Sequence, residues 1–348
     1  MAMSSVSVVT NALRLRRFTA PSTAYEISHQ PVRARIAGSA YLVGIAVVAL
    51  ALGSAFTWLS RTDQAERGMN GVLSWSEGMG MPMRPAMSVM EEAEILPVGT
   101  QEAGLTVTID GPTTIEAGRP TRLTVAVRDA DTGALVTDMV RTHQVWMHMI
   151  ITRSDLGTFT HVHPEPTDTA GVYKVEATFP TAGEYAVHTE FRRNGQMADV
   201  IDEQSLRVAG RKPPTAPVPT HDVRSWTGDG VRITLDGSAT VGDDSDFTLS
   251  LARVDTSGRT VGEVDDLRPY LGAAGHVVVM RADGSTFAHR HAETFDGRGR
   301  PVLAMPGTTF GPELDLHVRF DRPGAYRLWA QFELADGTVV TAPFVVHA

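Results

Sequence analysis

The sequence predicts an all-β protein with two tandem antiparallel immunoglobulin-like β-sandwiches behind one N-terminal transmembrane helix. Three observations lead to this prediction. Short runs of alternating apolar and polar residues fill the chain from residue 104 onward, their pattern occurs twice, and one long uncharged segment precedes them. Strict alternation indicates strands, and repeated short strands between turn residues favour an antiparallel sandwich. A chain of 348 residues is long enough for two such domains and additional segments.

The N-terminal part of the chain has the composition of a signal anchor. Residues 1–35 are rich in arginine and form the predicted cytoplasmic tail, because positive charge stays on the cytoplasmic side of a membrane helix. Residues 36–60 carry no charge and are long enough to cross a bilayer as a single-pass helix. The alternative is a long cleaved signal peptide, whose apolar region is normally shorter. Both interpretations place the following domains outside the cytoplasm.

Changes in composition divide the remaining chain into four parts. Residues 61–100 are rich in Gly, Met and Pro without any helical or strand period, which predicts a flexible linker. Residues 101–209 form the first predicted sandwich and residues 223–348 the second. Residues 210–222 contain several prolines and form a stiff linker between the two.

A histidine trio with the spacing H-x12-H-x-H occurs once in each repeat. The two trios are His148, His161 and His163 in the first repeat and His276, His289 and His291 in the second. One such trio in a chain with twelve histidines is easily accidental. Two trios in matching positions indicate that a duplicated module brings three imidazoles together.

The hairpin predicted around Asp283-Gly284 explains why this spacing gathers three rings. A two-residue turn at this dipeptide pairs His276 with His291 and Val278 with His289. Paired residues share a face of the sheet, and alternation keeps His289 on the same face as His291. The first repeat keeps the same separation, although its turn is less diagnostic.

Converging imidazoles predict a metal site with an open coordination position. Neutral imidazole binds copper, zinc and nickel, and the absence of cysteine rules out thiolate sites, disulfides and blue-copper centres. Copper is the preferred ion, with zinc and nickel as alternatives. Histidines that line the sheet and bind nothing remain the competing interpretation.

A methionine-rich stretch in the linker supports the preference for copper. Met79, Met81 and Met83 are separated by single residues, and thioethers are soft ligands that select Cu(I). The alternative is an ordinary linker whose methionines pack against lipid or the first sandwich.

Several other histidines lie outside the trios. His188 and Trp329 occupy corresponding positions in the two repeats, which favours a packing or surface role for His188. His143, His221 and His347 have no counterpart, and we expect them to be exposed to solvent.

The chain resembles a bacterial family of exported β-sandwich proteins that are labelled heavy-metal-binding and grouped near the YtkA-like and FixH-like domains. The first repeat resembles it in three stretches and the second in three more, namely Met147–Ile151, Phe159–Pro164, Phe179–Tyr185, Pro269–His276, His289–His291 and Pro323–Tyr326. The resemblance implies an exported sandwich connected with copper handling. Ala292 departs from the family's His-x-His-Pro without altering a proposed ligand.

The sequence therefore favours a membrane-anchored extracytoplasmic metal-binding protein that handles copper or confers copper tolerance. A metal transporter or another exported metal-handling protein is the expected partner. The alternative is a non-metal immunoglobulin-like module that binds proteins at the cell surface. The net charge of −9 argues against nucleic-acid binding. We expect no enzymatic activity, because no general base, nucleophile elbow or phosphate loop stands out.

Overall fold

The strands of this computed structural model belong to two domains that follow one another along the chain. The structure describes residues 97–348 apart from 212, 216, 296–300 and 306, together with Ala51 and Ser54. Apart from these two residues, the predicted membrane segment 36–60 lies outside the described part, as do Met79, Met81 and Met83. Among the described residues, no helix is long and apolar enough to cross a membrane.

The described part of the first domain contains eleven strands in two sheets. They are β1 (Val98–Gly99), β2 (Leu105–Asp110), β3 (Ile115–Glu116), β4 (Pro120–Asp129), β5 (Met139–Val140), β6 (His148–Arg153), β7 (Phe159–Val162), β8 (Glu165–Pro166), β9 (Val172–Thr178), β10 (Gly183–Arg193) and β11 (Val200–Ala209). One sheet has the order β1-β11-β10-β6-β7, with β3 beside β11 and β5 beside β10, and the other has the order β2-β4-β9-β8.

The second domain repeats the central part of this arrangement. Its described strands are β12 (Ser225–Gly228), β13 (Val231–Gly237), β14 (Asp244–Val254), β15 (Thr260–Glu263), β16 (Gly275–Arg281), β17 (Phe287–Ala292), β18 (Glu313–Arg319), β19 (Ala325–Glu333) and β20 (Val339–His347). One sheet has the order β12-β13-β14-β15 with β18 beside β14, and the other has the order β17-β16-β19-β20. The order β17-β16-β19-β20 corresponds to β7-β6-β10-β11 of the first domain.

Each domain buries its own apolar core between its two sheets. In the first domain, Val125 of β4 belongs to the same buried cluster as Met149 of β6. In the second, Leu249 of β14 shares a cluster with Val277 of β16 and Leu328 of β19. Alternation along each strand supplies these inward residues, so the burial of apolar area holds each pair of sheets together.

The strands β6 and β16 are buried on both faces. Their alternate residues Ile150 and Val278 point away from the domain cores and pack in a third cluster, which we call the interdomain cluster. It comprises Ile150, Leu156, Val278, Met280 and Trp329, with Phe159, Val218 and Phe287 packed against it. The two domains therefore cover each other's β6 and β16 faces within the compact unit Arg67–Ala348.

The prediction of an all-β protein with two repeated domains is confirmed for the described residues, which contain no helix from residue 97 onward. The immunoglobulin-like classification and the N-terminal transmembrane helix stay predictions.

Candidate metal centre

The second trio lies on the hairpin that the sequence predicted. In the β16–β17 ladder, His276 pairs with His291 and Val278 pairs with His289. Gly284 at the turn has a φ of 75°, a left-handed conformation that glycine adopts without a steric cost. All three imidazoles consequently lie on one face, the one turned towards the other domain.

The first trio has the same layout. Ile150 pairs with His161 in the β6–β7 ladder, and His163 follows β7 directly. His148 Nδ1 lies 3.0 Å from His161 Nε2, and His163 Nε2 lies 3.2 Å from the same atom. The ligand atoms of the first trio are all within 4.8 Å of one another, and the same holds for the second trio.

One contact between nitrogen atoms in the second trio is equally short. His276 Nδ1 and His289 Nε2 are 2.9 Å apart. Two nitrogens bound tetrahedrally to one copper or zinc ion are about 3.3 Å apart, given metal–nitrogen bonds of about 2.0–2.1 Å. Both trios thus hold their nitrogens near the separation that a shared metal ion requires.

The two trios meet at the domain interface and form one cluster of rings. The ring centroid of His148 lies 4.7 Å from that of His289 and 5.7 Å from that of His276. His161 lies 5.5 Å from His289. The residue spacing predicts one patch per domain but gives no sign that the two patches meet. We call the six histidines together the histidine centre.

Each trio is also hydrogen-bonded by a residue of the opposite domain. His161 Nδ1 of the first domain lies 2.7 Å from Gln331 Oε1 of β19, and His289 Nδ1 of the second domain lies 2.6 Å from Glu190 Oε2 of β10. The Gln331 amide nitrogen donates to Thr341 Oγ1 at 3.0 Å. Both partners accept from the outer nitrogen of an imidazole, a bond that fixes tautomer and ring orientation in metal sites.

When His276 and His289 are both neutral, these outer bonds leave lone pairs on the inner nitrogens of the two rings. A carboxylate only accepts, so His289 Nδ1 donates to Glu190, and His276 Nε2 donates to the Tyr270 carbonyl oxygen at 3.1 Å. In the neutral rings, His276 Nδ1 and His289 Nε2 then face each other without a hydrogen between them. Only a proton or a metal cation between the two nitrogens relieves the repulsion of these lone pairs.

Burial keeps most rings of the cluster neutral. Loss of hydration lowers the pKa of His143 and of His163 to about 4. The same cause, reinforced by neighbouring imidazoles, holds the pKa well below its usual value in four more rings, those of His148, His161, His276 and His291. Neutral imidazole is the form that binds metal.

Glu190 supplies the negative charge of the centre. Burial is the largest influence and raises the pKa of this carboxyl group, but the combined effect of His289, His143 and Arg290 outweighs burial, so that the pKa lies below its usual value. The carboxylate is therefore ionised next to His289 and offsets the charge of a cation bound by the second trio.

The expectation that His143 is exposed to solvent is wrong, because this residue is half-buried. Its ring centroid lies 4.0 Å from that of His291 and 5.9 Å from that of His276. His143 and Gln144 form a tight turn with φ values of 51° and 69°, and this turn directs the ring of the first domain against the second trio. Such left-handed residues give no clear signal in a single sequence.

The remaining histidines behave as predicted or lie apart from the centre. His188 is buried and stacks on Phe287 with 4.3 Å between ring centroids, which confirms a packing role. Its counterpart Trp329 stacks on Phe159 at 4.9 Å. His221 and His347 are exposed, as expected.

The two domains face each other with pseudo-two-fold symmetry. Thr152 of β6 donates to the sulfur of Met280, its own counterpart in β16, at 3.7 Å. His188 and Trp329 each stack on a phenylalanine of the opposite domain, and Glu190 and Gln331 each bond a histidine of the opposite domain. This exchange of equivalent contacts is characteristic of a self-complementary interface between two copies of one module.

Comparisons with known proteins give a family without a described activity. The family described as "Domain of unknown function (DUF8832)" matches residues 100–201 and 225–348. No curated protein matches the chain.

Three solved structures with detectable similarity illustrate that the likeness is weak. E. coli alpha-2-macroglobulin is 13% identical over 73% of this chain and 14% of its own length, with a TM-score of 0.23. The Yersinia pseudotuberculosis adhesin InvE is 12% identical over 70% of this chain and 58% of its own, with a TM-score of 0.20. A DUF4785 family protein from Legionella pneumophila is 8% identical over 69% of this chain and 57% of its own, with a TM-score of 0.23. The chain thus spans less than two thirds of each of these proteins, and the similarities support no functional argument. The two segments matched by the family cover more than half of the sequence, and the chain therefore belongs to the DUF8832 family.

Proposed function

We propose that this protein binds copper outside the cytoplasm, at a histidine centre formed jointly by its two domains, while an N-terminal helix anchors it in the membrane. Each trio binds one ion, and the methionines at 79, 81 and 83 assist near the membrane by holding Cu(I). A metal transporter or another exported metal-handling protein is the proposed exchange partner.

The facing nitrogens of His276 and His289 carry the metal-binding part of this proposal. Their outer nitrogens are already bonded to acceptors, and their inner nitrogens are 2.9 Å apart. In two neighbouring histidines that merely line a sheet, the N–H of one ring would donate a hydrogen bond to the unprotonated nitrogen of the other ring. In the neutral form of these two rings both N–H groups point outward, so the inner nitrogens share either a proton or a metal cation, and the outward bonds are those that orient imidazoles in metal sites.

The choice of copper depends on the ligand set. The chain has no cysteine, and histidine together with methionine is the combination that serves both Cu(II) and Cu(I). Zinc and nickel are also imidazole-binding ions. Titrations with each of the three ions separate the alternatives.

A stoichiometry measurement tests the proposal. The full-length chain, purified in detergent, should bind two Cu²⁺ ions at the histidine centre, as measured by calorimetric titration in the presence of a weak competing chelator. The double variant His289→Ala with His291→Ala removes two ligands of the second trio and should lose one ion.

The matched control is the double variant His221→Ala with His347→Ala, which removes two exposed histidines outside the centre and should retain both ions. Equal stoichiometry in the ligand variant and the wild type would refute metal binding at this centre. It would favour a protein-interaction module instead.

A further inference from the structure

We propose that the two trios bind metal with unequal affinity, and that Glu190 makes the second trio, His276, His289 and His291, the tighter half of the centre. This inference rests on the proposed function, because it presupposes that both trios bind a cation. The symmetry of the two domains would otherwise predict equal halves, so every departure from symmetry at the centre bears on affinity.

The first departure is the pair Glu190 and Gln331. They occupy equivalent positions, since Glu190 pairs with His148 in the β10–β6 ladder and Gln331 pairs with His276 in the β19–β16 ladder. A carboxylate acts on His289 from 2.6 Å, whereas a neutral amide acts on His161 from 2.7 Å.

The charge of this outer partner matters to the bound ion. A carboxylate makes the imidazole that donates to it a stronger base, and it adds a negative charge close to the cation. Changes of such outer partners typically alter metal affinity by about 10–100-fold. The second trio gains this advantage, and the first trio does not.

The second departure concerns the first histidine of each trio. His276 Nε2 donates to the carbonyl oxygen of Tyr270, a residue in the tight turn before β16. The equivalent atom, His148 Nε2, is buried without a hydrogen-bond partner among the described residues. His276 is thus fixed with its lone pair on the inner nitrogen, whereas His148 has to adopt that tautomer when an ion binds.

The third departure is His143. Its counterpart in the matching turn of the second domain is Leu271, which has a similar left-handed φ of 50°. The imidazole of His143 covers His291 at 4.0 Å between centroids. A polar ring from the opposite domain therefore shields the second trio from water, and all three departures favour the same half.

The test compares the halves in the full-length chain. The ring of His163 contacts the other two rings of its own trio. The ring of His291 contacts the other two rings of its own trio and the ring of His143. Among the described residues, neither ring contacts a ring of the opposite trio. The variants His163→Ala and His291→Ala therefore each weaken one half and leave the four interlocked rings in place. Cu²⁺ affinity is measured for both variants by chelator competition.

We expect the His163→Ala protein, whose second trio is intact, to bind its Cu²⁺ about 10–100-fold more tightly than the His291→Ala protein. Adding Glu190→Gln to the His163→Ala protein should remove most of that difference. Adding Gln331→Glu to the His291→Ala protein places a carboxylate beside the first trio and should tighten Cu²⁺ binding there. The matched control Glu203→Gln removes the same charge from an exposed position on β11 and should alter neither affinity.

Equal affinities in the two histidine variants would overturn the inference, and so would an unchanged affinity on adding Glu190→Gln. If Glu190→Gln prevents folding, the Gln331→Glu protein decides the question in the other half. Absence of any Cu²⁺ binding by the wild type would instead refute the proposed function, so the two failures are distinguishable.

Discussion

His188 illustrates how single residues at the interface respond to their burial. His188 is 1% exposed, and its ring lies nearly parallel to that of Phe287, with 7° between the ring planes. Among the residues that the structure describes, neither ring nitrogen has a hydrogen-bond partner, and the Glu203 carboxylate remains 3.6 Å from Nε2. Burial consequently lowers the pKa of His188 from 6.5 to about 4.

The stability of the metal-free protein should therefore fall as pH decreases from 6.5 to 4. In this range the unfolded chain binds a proton at His188 and the folded chain does not. His188→Phe should reduce the pH slope of the unfolding free energy by one proton, about 1.4 kcal/mol per pH unit. Urea denaturation at several pH values with a chelator present measures the slope. His221→Phe, at an exposed site, should keep the wild-type slope, and an unchanged slope in His188→Phe would contradict the expectation.

Residue spacing predicted the composition of each trio but not the partners around it. The turn at Asp283-Gly284 fixes the β16–β17 register, so the faces of His276, His289 and His291 follow from the sequence. Glu190, Gln331 and His143 reach the centre from the opposite domain. Their approach depends on how two folded domains pack, which local spacing does not encode.

Strands β6 and β16 contain a signal for that packing. Both are buried at consecutive positions, from His148 to Arg153 and from Gly275 to Met280. Uninterrupted apolar runs are typical of strands covered on both faces, whereas one-sided strands alternate. The run Val277–Met280 thus indicates a second covering surface, although it does not identify the other domain as that surface.

Stacking between strands of different domains should contribute measurably to stability. Trp329 of β19 is 4% exposed and lies on Phe159 of β7 with 18° between the ring planes. Trp329→Ala should lower the unfolding free energy by about 3–5 kcal/mol, because it removes a large buried ring and leaves a cavity. Denaturant unfolding of the full chain measures the loss. Val261→Ala, at a residue that is 60% exposed, should change it by less than about 0.5 kcal/mol. A loss below about 1 kcal/mol for Trp329→Ala would show that the domains do not depend on this contact.

At the scale of the whole molecule, the duplication was predictable and the assembly was not. Matching trios and matching strand runs revealed two copies of one module. The sequence carried no equivalent evidence that the copies face each other, because pseudo-two-fold contacts such as Thr152 with Met280 join residues that are 128 positions apart.

Metal should stabilise the two domains together. A ligand that binds only the folded state at about 100 times its Kd adds about 2.7 kcal/mol per site. Since Glu190 and Gln331 tie each trio to the opposite domain, Cu²⁺ should raise the melting temperature of the full chain in a single cooperative transition. The double variant His163→Ala with His291→Ala should lose this rise. A wild-type melting temperature that Cu²⁺ leaves unchanged would contradict the expectation, as would a rise that persists in the variant.

The covalent connection of the two domains has a consequence for dilution. Two separate copies of the module with the same interface would dissociate when their concentration fell below the dissociation constant, and each copy would retain only one trio of the histidine centre. Residues 210–222 keep the copies joined, so the length of this connection, and not the protein concentration, sets the local concentration of one domain around the other. The histidine centre therefore stays assembled at any protein concentration. Because the two trios cannot dissociate from each other, a chemical difference between them does not endanger the assembly of the centre.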